Sequence, residues 1–122
     1  MTLKILDGDF CICKLHDMAN ILPADEIFFL SKTDEEISLV CKKEFVPAHV
    51  LKIDSGWRCF RIQGEIDFAL TGILSKILNI LAEQNIGIFA VSTYNTDYIL
   101  TKKENFDIAV DALLQNGYNL AK

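Results

Sequence analysis

The sequence predicts an α+β protein in which helices pack on antiparallel sheets, and three observations support that class. A hairpin-like segment at residues 28–44 is echoed at residues 89–104 when one residue is dropped from the alignment. Apolar residues recur at helical spacing in two stretches of the C-terminal half. Short β-prone runs separate these stretches, so strands and helices alternate along the chain.

The first half, residues 1–56, is expected to form a reduced module with shortened helices. A strand is predicted within residues 3–15, and the space between it and residue 28 is too short for a long helix. Pro47 cannot lie in a helix interior without losing a hydrogen bond, so a second helix is at most one turn near residues 46–50. We interpret Asp54-Ser55-Gly56 as a turn inside one domain.

The second half, residues 57–122, is expected to form a full module. A strand at residues 57–62 precedes a helix, whose apolar stripe contains Leu70, Ile73, Leu74, Ile77, Leu78 and Leu81. Asn85 favours the left-handed conformation that ends such a helix, and Gly117 gives the same signal for a second helix at residues 104–116.

Between the two helices, a strand starting at residue 86 or 88 and a return strand at residues 98–101 flank a polar turn. A last edge strand at residues 118–120 completes the order βαββαβ. Two helices on one face of an antiparallel sheet in that order form the ferredoxin-like arrangement.

Composition limits the classes of function. With 122 residues, 51% of them hydrophobic, the chain can form one compact body with a packed core. The net charge of −5 is spread along the chain and favours neither nucleic acid nor an anionic membrane surface as a partner. No apolar run approaches the roughly 20 residues that span a bilayer, and the N-terminus does not resemble a signal peptide. We therefore expect a soluble cytoplasmic protein without membrane segments.

Catalytic and metal sites have little support in the sequence. The cysteines, Cys11, Cys13, Cys41 and Cys59, contain one C-x-C spacing and are better explained as small buried side chains than as metal ligands. His16 and His49 are far apart, and the glycine-rich nucleotide and nucleophile motifs are missing. We predict no enzyme activity, cofactor or metal.

Residues 70–74 and 81–100 resemble the ACT domain, and specifically the tandem ACT type of small stand-alone bacterial proteins. They are also similar to the ACT domains of animal cytosolic arginine sensors. The most specific part is the Ser-Thr-Tyr-x-Thr-Asp segment at residues 92–97. The resemblance is close over residues 57–122 and looser over residues 3–50.

The resemblance implies a small-molecule site, often for an amino acid, where a strand–helix turn faces a hairpin. The residues that correspond to this site here are Thr71, Gly72, Ile73, Ser92, Thr93, Tyr94 and Asp97. Physically, the helix N-terminus at the Leu70-Thr71-Gly72-Ile73 turn can receive a carboxylate, and Gly72 lets a ligand approach the backbone. Asp97 can pair with an ammonium or guanidinium group. The corresponding hairpin of the first half, residues 32–36, departs from this pattern.

Structural roles compete with these assignments. Thr71 is also a common helix cap and Gly72 a common means of close packing. Asp97 is an ordinary turn former, and Tyr94 suits sheet packing.

Two functions follow from the sequence. The first is a non-catalytic regulatory domain that binds a small molecule, with an amino acid as the suspected ligand and a homodimer as the default assembly. The alternative is a protein–protein interaction or dimerisation module without a small ligand.

Overall fold

The computed structural model describes residues 1–19, 21, 26–63 and 72–121. Within these ranges the elements are β1 (Thr2–Ile5), β2 (Phe10–Leu15), β3 (Phe28–Lys32), β4 (Ile37–Lys42), β5 (Lys52–Ile62), α1 (Ile73–Glu83), β6 (Ile88–Ser92), β7 (Asp97–Lys102), α2 (Lys103–Gln115) and β8 (Asn119–Leu120). The predicted α+β class is confirmed. Neither α1 nor α2 has the length and apolar composition of a membrane-spanning helix within the described part of the chain.

The chain divides into two compact units, and the boundary falls inside β5. Unit 1 combines Met1–Asp7 with Arg58–Lys122, and unit 2 is Gly8–Trp57. The repeat alone does not predict that the first seven residues belong with the second half of the chain.

Unit 2 contains an antiparallel sheet in the strand order β3-β4-β2-β5. Its apolar cluster consists of Cys11, Cys13, Leu15, Leu39 and Cys41. In place of a second helix there is a 3-10 turn at Lys43–Phe45, slightly earlier than the sequence predicts. Val46 precedes Pro47 and has an extended backbone, as expected for a residue whose α conformation a following proline disfavours.

The turn predicted at Asp54-Ser55-Gly56 is wrong, because these residues lie within β5. Phe10 pairs with Trp57 and Ile12 pairs with Asp54, so β5 contains one more residue than β2 over this interval. Gly56 has a φ of 80°. A glycine with positive φ in a bulged strand accommodates the extra residue without breaking the sheet.

Unit 1 has the strand order β8-β1-β5-β7-β6. Its core joins residues of both helices to alternate residues of β1, β5 and β7: Leu3, Phe60, Ile62, Ile77, Leu81, Ile86, Ile99, Phe106, Ala109, Val110 and Leu113. Both helices therefore cover the same face of this sheet. From β5 onward the element order is βαββαβ, which agrees with the predicted ferredoxin-like arrangement.

The prediction of purely antiparallel sheets is wrong at one pair of strands. β1 is antiparallel to β5 and parallel to β8. The cause is the insertion of β1 between β5 and β8. The last strand of a βαββαβ module runs opposite to its first strand, so it runs parallel to a strand inserted between them.

The two hairpins correspond without the dropped residue that the sequence comparison used. β3 pairs with β4 from Phe28↔Cys41 to Lys32↔Ile37, and β6 pairs with β7 from Ile88↔Thr101 to Ser92↔Asp97. Each residue of the first hairpin thus corresponds to the residue 60 positions later, as 92 − 32 and 97 − 37 show. Thr33 corresponds to Thr93, and Ile37 occupies the position of Asp97.

Candidate functional site

One end of unit 1 gathers the loops that the sequence singled out. The Thr96 hydroxyl donates to the carbonyl oxygen of Ile62, the last residue of β5, at 2.8 Å. The hairpin turn at residues 93–96 therefore lies at the end of β5 from which the chain leads to α1. The Gln63 amide also donates to the Thr2 carbonyl at 2.8 Å, which brings the start of β1 to the same end. We call this region the loop end of unit 1.

Gly72 is the N-cap of α1. Its φ of 78° and ψ of 6° are left-handed, and α1 has no side-chain cap hydrogen bond. The Lys76 amide donates to the Gly72 carbonyl at 2.9 Å, the first bond of the helix. A Cβ built on Gly72 meets none of the described residues within 4 Å. The backbone amides of the first turn that come before Lys76 have no acceptor within the helix. Amides of this kind can bind an anion.

Thr71 and Ile73 flank Gly72 in this predicted turn. Thr71 lies outside the described residues, so its predicted role as cap or ligand contact has no structural account. Ile73 is half-buried and packs against the core of unit 1. Its packing gives Ile73 a structural role whether or not a ligand touches it.

The β6–β7 hairpin is closed by hydrogen bonds within its own turn. The Thr93 amide donates to the Thr96 carbonyl at 2.8 Å, and the Thr93 hydroxyl donates to the same oxygen at 2.9 Å. The predicted contact Thr93 therefore uses its hydroxyl in the turn. Tyr94, at the tip, is 79% exposed.

Ser92 and Asp97 form the polar pair that closes this hairpin. They are directly opposite in the ladder, and the Ser92 hydroxyl donates to Asp97 Oδ1 at 2.6 Å. Asp97 lies two residues from Ile99, which belongs to the core beneath the helices. Because side chains alternate along a strand, Asp97 is on the helix side of the sheet, at the loop end where α1 begins. Of the predicted contacts, Gly72, Ile73, Ser92 and Asp97 thus share one end and one side of unit 1.

The corresponding hairpin in unit 2 repeats the turn and lacks this pair. The Thr33 amide donates to the Glu36 carbonyl at 2.9 Å, as Thr93 does to Thr96. Lys32 and Ile37 stand where Ser92 and Asp97 stand in unit 1. A carboxylate is therefore missing from this position of the first hairpin.

Sequence reasoning missed a cleft of about 300 Å³ in unit 1, lined by Met1, Ile73, Lys76, Asn116, Gly117 and Tyr118. Ile73 is the residue it shares with the predicted set. Burial raises the pKa of the Tyr118 hydroxyl. The sequence feature that could have indicated this cleft is Gly117, which lines it. A glycine that ends a helix also marks the point where the chain leaves α2.

The cysteines are free and buried, as predicted from their spacing. Burial, with smaller contributions from Cys13 and Cys11, raises the pKa of Cys41 to about 12. Burial also raises the pKa of Cys59 to about 12, against an opposing effect of the Arg61 charge. Among the described residues there is no cluster of histidine, cysteine and acidic side chains that could hold a metal ion.

Comparison with known proteins gives a consistent set of relatives. The sequence model of the ACT domain family matches residues 52–115. The human cytosolic arginine sensor for mTORC1 subunit 1 is 25% identical over 100 residues, which cover 74% of this chain and 30% of the sensor. The mouse protein is 26% identical over 99 residues with the same coverage. The chain therefore spans about 30% of the length of these relatives.

Two crystal structures illustrate the structural similarity. A protein from Agrobacterium tumefaciens is 32% identical, with a TM-score of 0.88 over 98% of this chain and 91% of that one. The ligand-free regulatory subunit of aspartate kinase from Thermus thermophilus is 14% identical, with a TM-score of 0.57 over 88% of this chain and 92% of that one. At that identity the second comparison supports the fold alone.

Proposed function

Because this chain belongs to the ACT domain family, we propose that it is a regulatory module that binds an amino acid at the loop end of unit 1. ACT domains are regulatory modules. The human relative is named a cytosolic arginine sensor, which supports an amino acid as the ligand and the cytoplasm as the place of action.

The observation that supports the proposal most directly is that one end of unit 1 has both a group that favours an anion and a group that favours a cation. The uncapped start of α1 after Gly72 favours a carboxylate. Asp97 offers a carboxylate to an ammonium or guanidinium group, and the Ser92 hydrogen bond holds its orientation. An amino acid carries both charges, so one molecule can satisfy both partners.

We further propose that unit 2 is a reduced ACT-like copy and that the chain is a tandem protein. The strand order β3-β4-β2-β5 of unit 2 corresponds to β6-β7-β5-β8 of unit 1 once β1 is set aside. The constant spacing of the two hairpins supports the same origin. Because Ile37 replaces the carboxylate of Asp97, unit 2 contributes packing rather than a second site of the same kind.

Calorimetric titration with the standard amino acids tests the proposed function, and Asp97→Asn is the informative variant. The amide keeps an oxygen for the Ser92 hydroxyl and removes the charge, so the fold should be preserved. Loss of a charged hydrogen bond should raise Kd by about 10- to 100-fold.

Asp34→Asn, in the exposed turn of the first hairpin, is the matched control and should leave Kd unchanged. Equal effects of the two substitutions would show that the ligand responds to net charge rather than to Asp97.

Dimerisation is the second candidate function, and β6 favours it. Within the described residues β6 pairs with β7 alone, and its sequence, Ile-Phe-Ala-Val-Ser, contains no charge or proline to protect an edge. A homodimer through this edge would give a sedimentation coefficient that rises with protein concentration. A constant monomer value at all concentrations would exclude it.

A further inference from the structure

The cleft beside α1 is a defined feature of unit 1 that the resemblance does not account for. The described residues that line it come from the residue before β1, the first turn of α1 and the segment that follows α2. A volume of about 300 Å³ is at the lower end of the range for small-molecule sites, which suits a ligand of amino-acid size.

The walls of the cleft are held by backbone hydrogen bonds. Gly117 has a φ of 94°, and the Tyr118 amide donates a hydrogen bond to the Leu113 carbonyl at 3.2 Å. Together these features end α2. The chain then pairs with β1, where the Asn119 amide donates to the Met1 carbonyl at 2.9 Å. The positions of Asn116 and Tyr118 therefore depend on the fold itself and not on a ligand.

The charged side chain that the described residues contribute to the cleft is positive. Among residues 1–19, 21, 26–63 and 72–121, Lys76 is the charged side chain that lines it, and no acidic residue of these ranges lines it or lies in the first turn of α1. Among the described residues Lys76 forms no ion pair, unlike Lys42, which pairs with Glu26 in unit 2. An ammonium beside the positive end of a helix favours an anion.

The neutral polar groups of the cleft suit the same kind of ligand. Tyr118 is half-buried, and its hydroxyl can donate a hydrogen bond to an acceptor. Asn116 Nδ2 donates to the Ala112 carbonyl at 2.8 Å, which fixes the amide and leaves Oδ1 as an acceptor for a ligand N–H group. Ile73 and Met1 supply apolar surface for the rest of the molecule.

We propose that this cleft binds the carboxylate of a small carboxylic acid, with the Lys76 ammonium pairing with the carboxylate and the Tyr118 hydroxyl donating to it. The inference rests on the proposed function because it places the ligand at the same end of unit 1. It adds that Lys76 and Tyr118 bind the carboxylate and that small carboxylic acids are the ligand class.

Matched ligand series separate this inference from the proposed function. Each standard amino acid is titrated beside its carboxamide, which lacks the carboxylate charge, and beside its 2-oxo acid, which lacks the amine. The titrations use the full chain, Lys76→Gln, Tyr118→Phe and the control Lys32→Gln, which removes the same charge from an exposed position in unit 2. Amide NMR shifts of Ile73, Lys76 and Tyr118 report whether binding occurs in the cleft.

The expected result is that carboxylates bind and carboxamides do not. Lys76→Gln should raise Kd by about 10- to 100-fold, Tyr118→Phe by a smaller factor, and Lys32→Gln not at all. Binding of 2-oxo acids alone, sensitive to Lys76, would support the cleft and overturn the proposed amino-acid function.

Amino-acid binding that is unchanged in Lys76→Gln, or equal for acid and carboxamide, would overturn the inference and leave the proposed function intact. If no compound binds to the full chain, both are wrong.

Discussion

Replacing Thr96 by valine should loosen the hairpin that presents Asp97. Thr96 is 7% exposed, and its hydroxyl donates to the Ile62 carbonyl at 2.8 Å. Valine has nearly the same shape and cannot donate. The Ile62 carbonyl then loses a buried partner, and the attachment of the turn to the end of β5 is lost.

The expected cost is about 1–2 kcal/mol, because leaving a buried carbonyl without its donor costs about 1–3 kcal/mol and the added methyl group recovers part of that. For a domain of this size, each kcal/mol corresponds to a decrease in Tm of about 3–6 °C. Urea unfolding followed by circular dichroism measures the free energy of unfolding directly.

Thr2→Val is the control for the chemical change itself, because the Thr2 hydroxyl makes no hydrogen bond with the described residues of the chain. Its free energy of unfolding should stay within about 0.5 kcal/mol of the parent. Equal free energies of unfolding for Thr96→Val and Thr2→Val would refute a stabilising role for the Thr96 hydrogen bond. If Thr96 does anchor the hairpin, the amide NMR signal of Asp97 should also shift in the valine variant.

Three other predictions follow from single features. Gly72→Ala should cost about 1–2 kcal/mol through its φ of 78°, whereas Gly87→Ala, with open space and no positive φ, should be neutral or stabilising; equal unfolding free energies would contradict this. Native protein at neutral pH should react slowly with a thiol reagent at Cys41 and Cys59, and urea should release all of the thiols; fast native labelling of either residue would disprove their burial. Stability should fall between about pH 9 and 12, because the unfolded Cys59 thiol ionises near its usual pKa of 9.0 while the folded thiol keeps its proton until about 12. The decrease is about 1.4 kcal/mol per pH unit for each such thiol, and Cys59→Ala should reduce the slope measured in urea titrations; an unchanged slope would contradict the assignment.

Local patterns predicted the second half of the chain well. The apolar stripe of α1 reaches the core through Ile77 and Leu81, and Asn85 has the left-handed φ of 58° that its position suggested. These features depend on helical periodicity and on the conformational preferences of single residues, both of which are visible in a sequence.

Pairing between distant segments could not be predicted in the same way. Asp54-Ser55-Gly56 has the composition of a turn, and yet it is extended because β2 supplies a hydrogen-bonding partner. The parallel pairing of β1 with β8 joins the two ends of the chain and has no local signal. Tertiary hydrogen bonding overrides local preference in both cases.

In the candidate site, too, residues that are close in the sequence could be predicted together, and residues that are far apart could not. The hairpin residues Ser92 and Asp97 lie in one short motif, so the sequence could present them together. Lys76 and Tyr118 line one cleft although a strand pair and a helix separate them in the chain. Only the return of the chain after α2 brings them together.

The most direct test of the central claim is an NMR titration of the full chain with the standard amino acids at millimolar concentrations. At least one of them should produce saturable shifts in the amide signals of Gly72, Ile73 and Asp97. The corresponding signals of the first hairpin, at Lys32 and Ile37, should not move. If no amino acid produces shifts, or if the saturable shifts occur at Lys32 and Ile37 instead, the claim that unit 1 binds an amino acid at its loop end is contradicted.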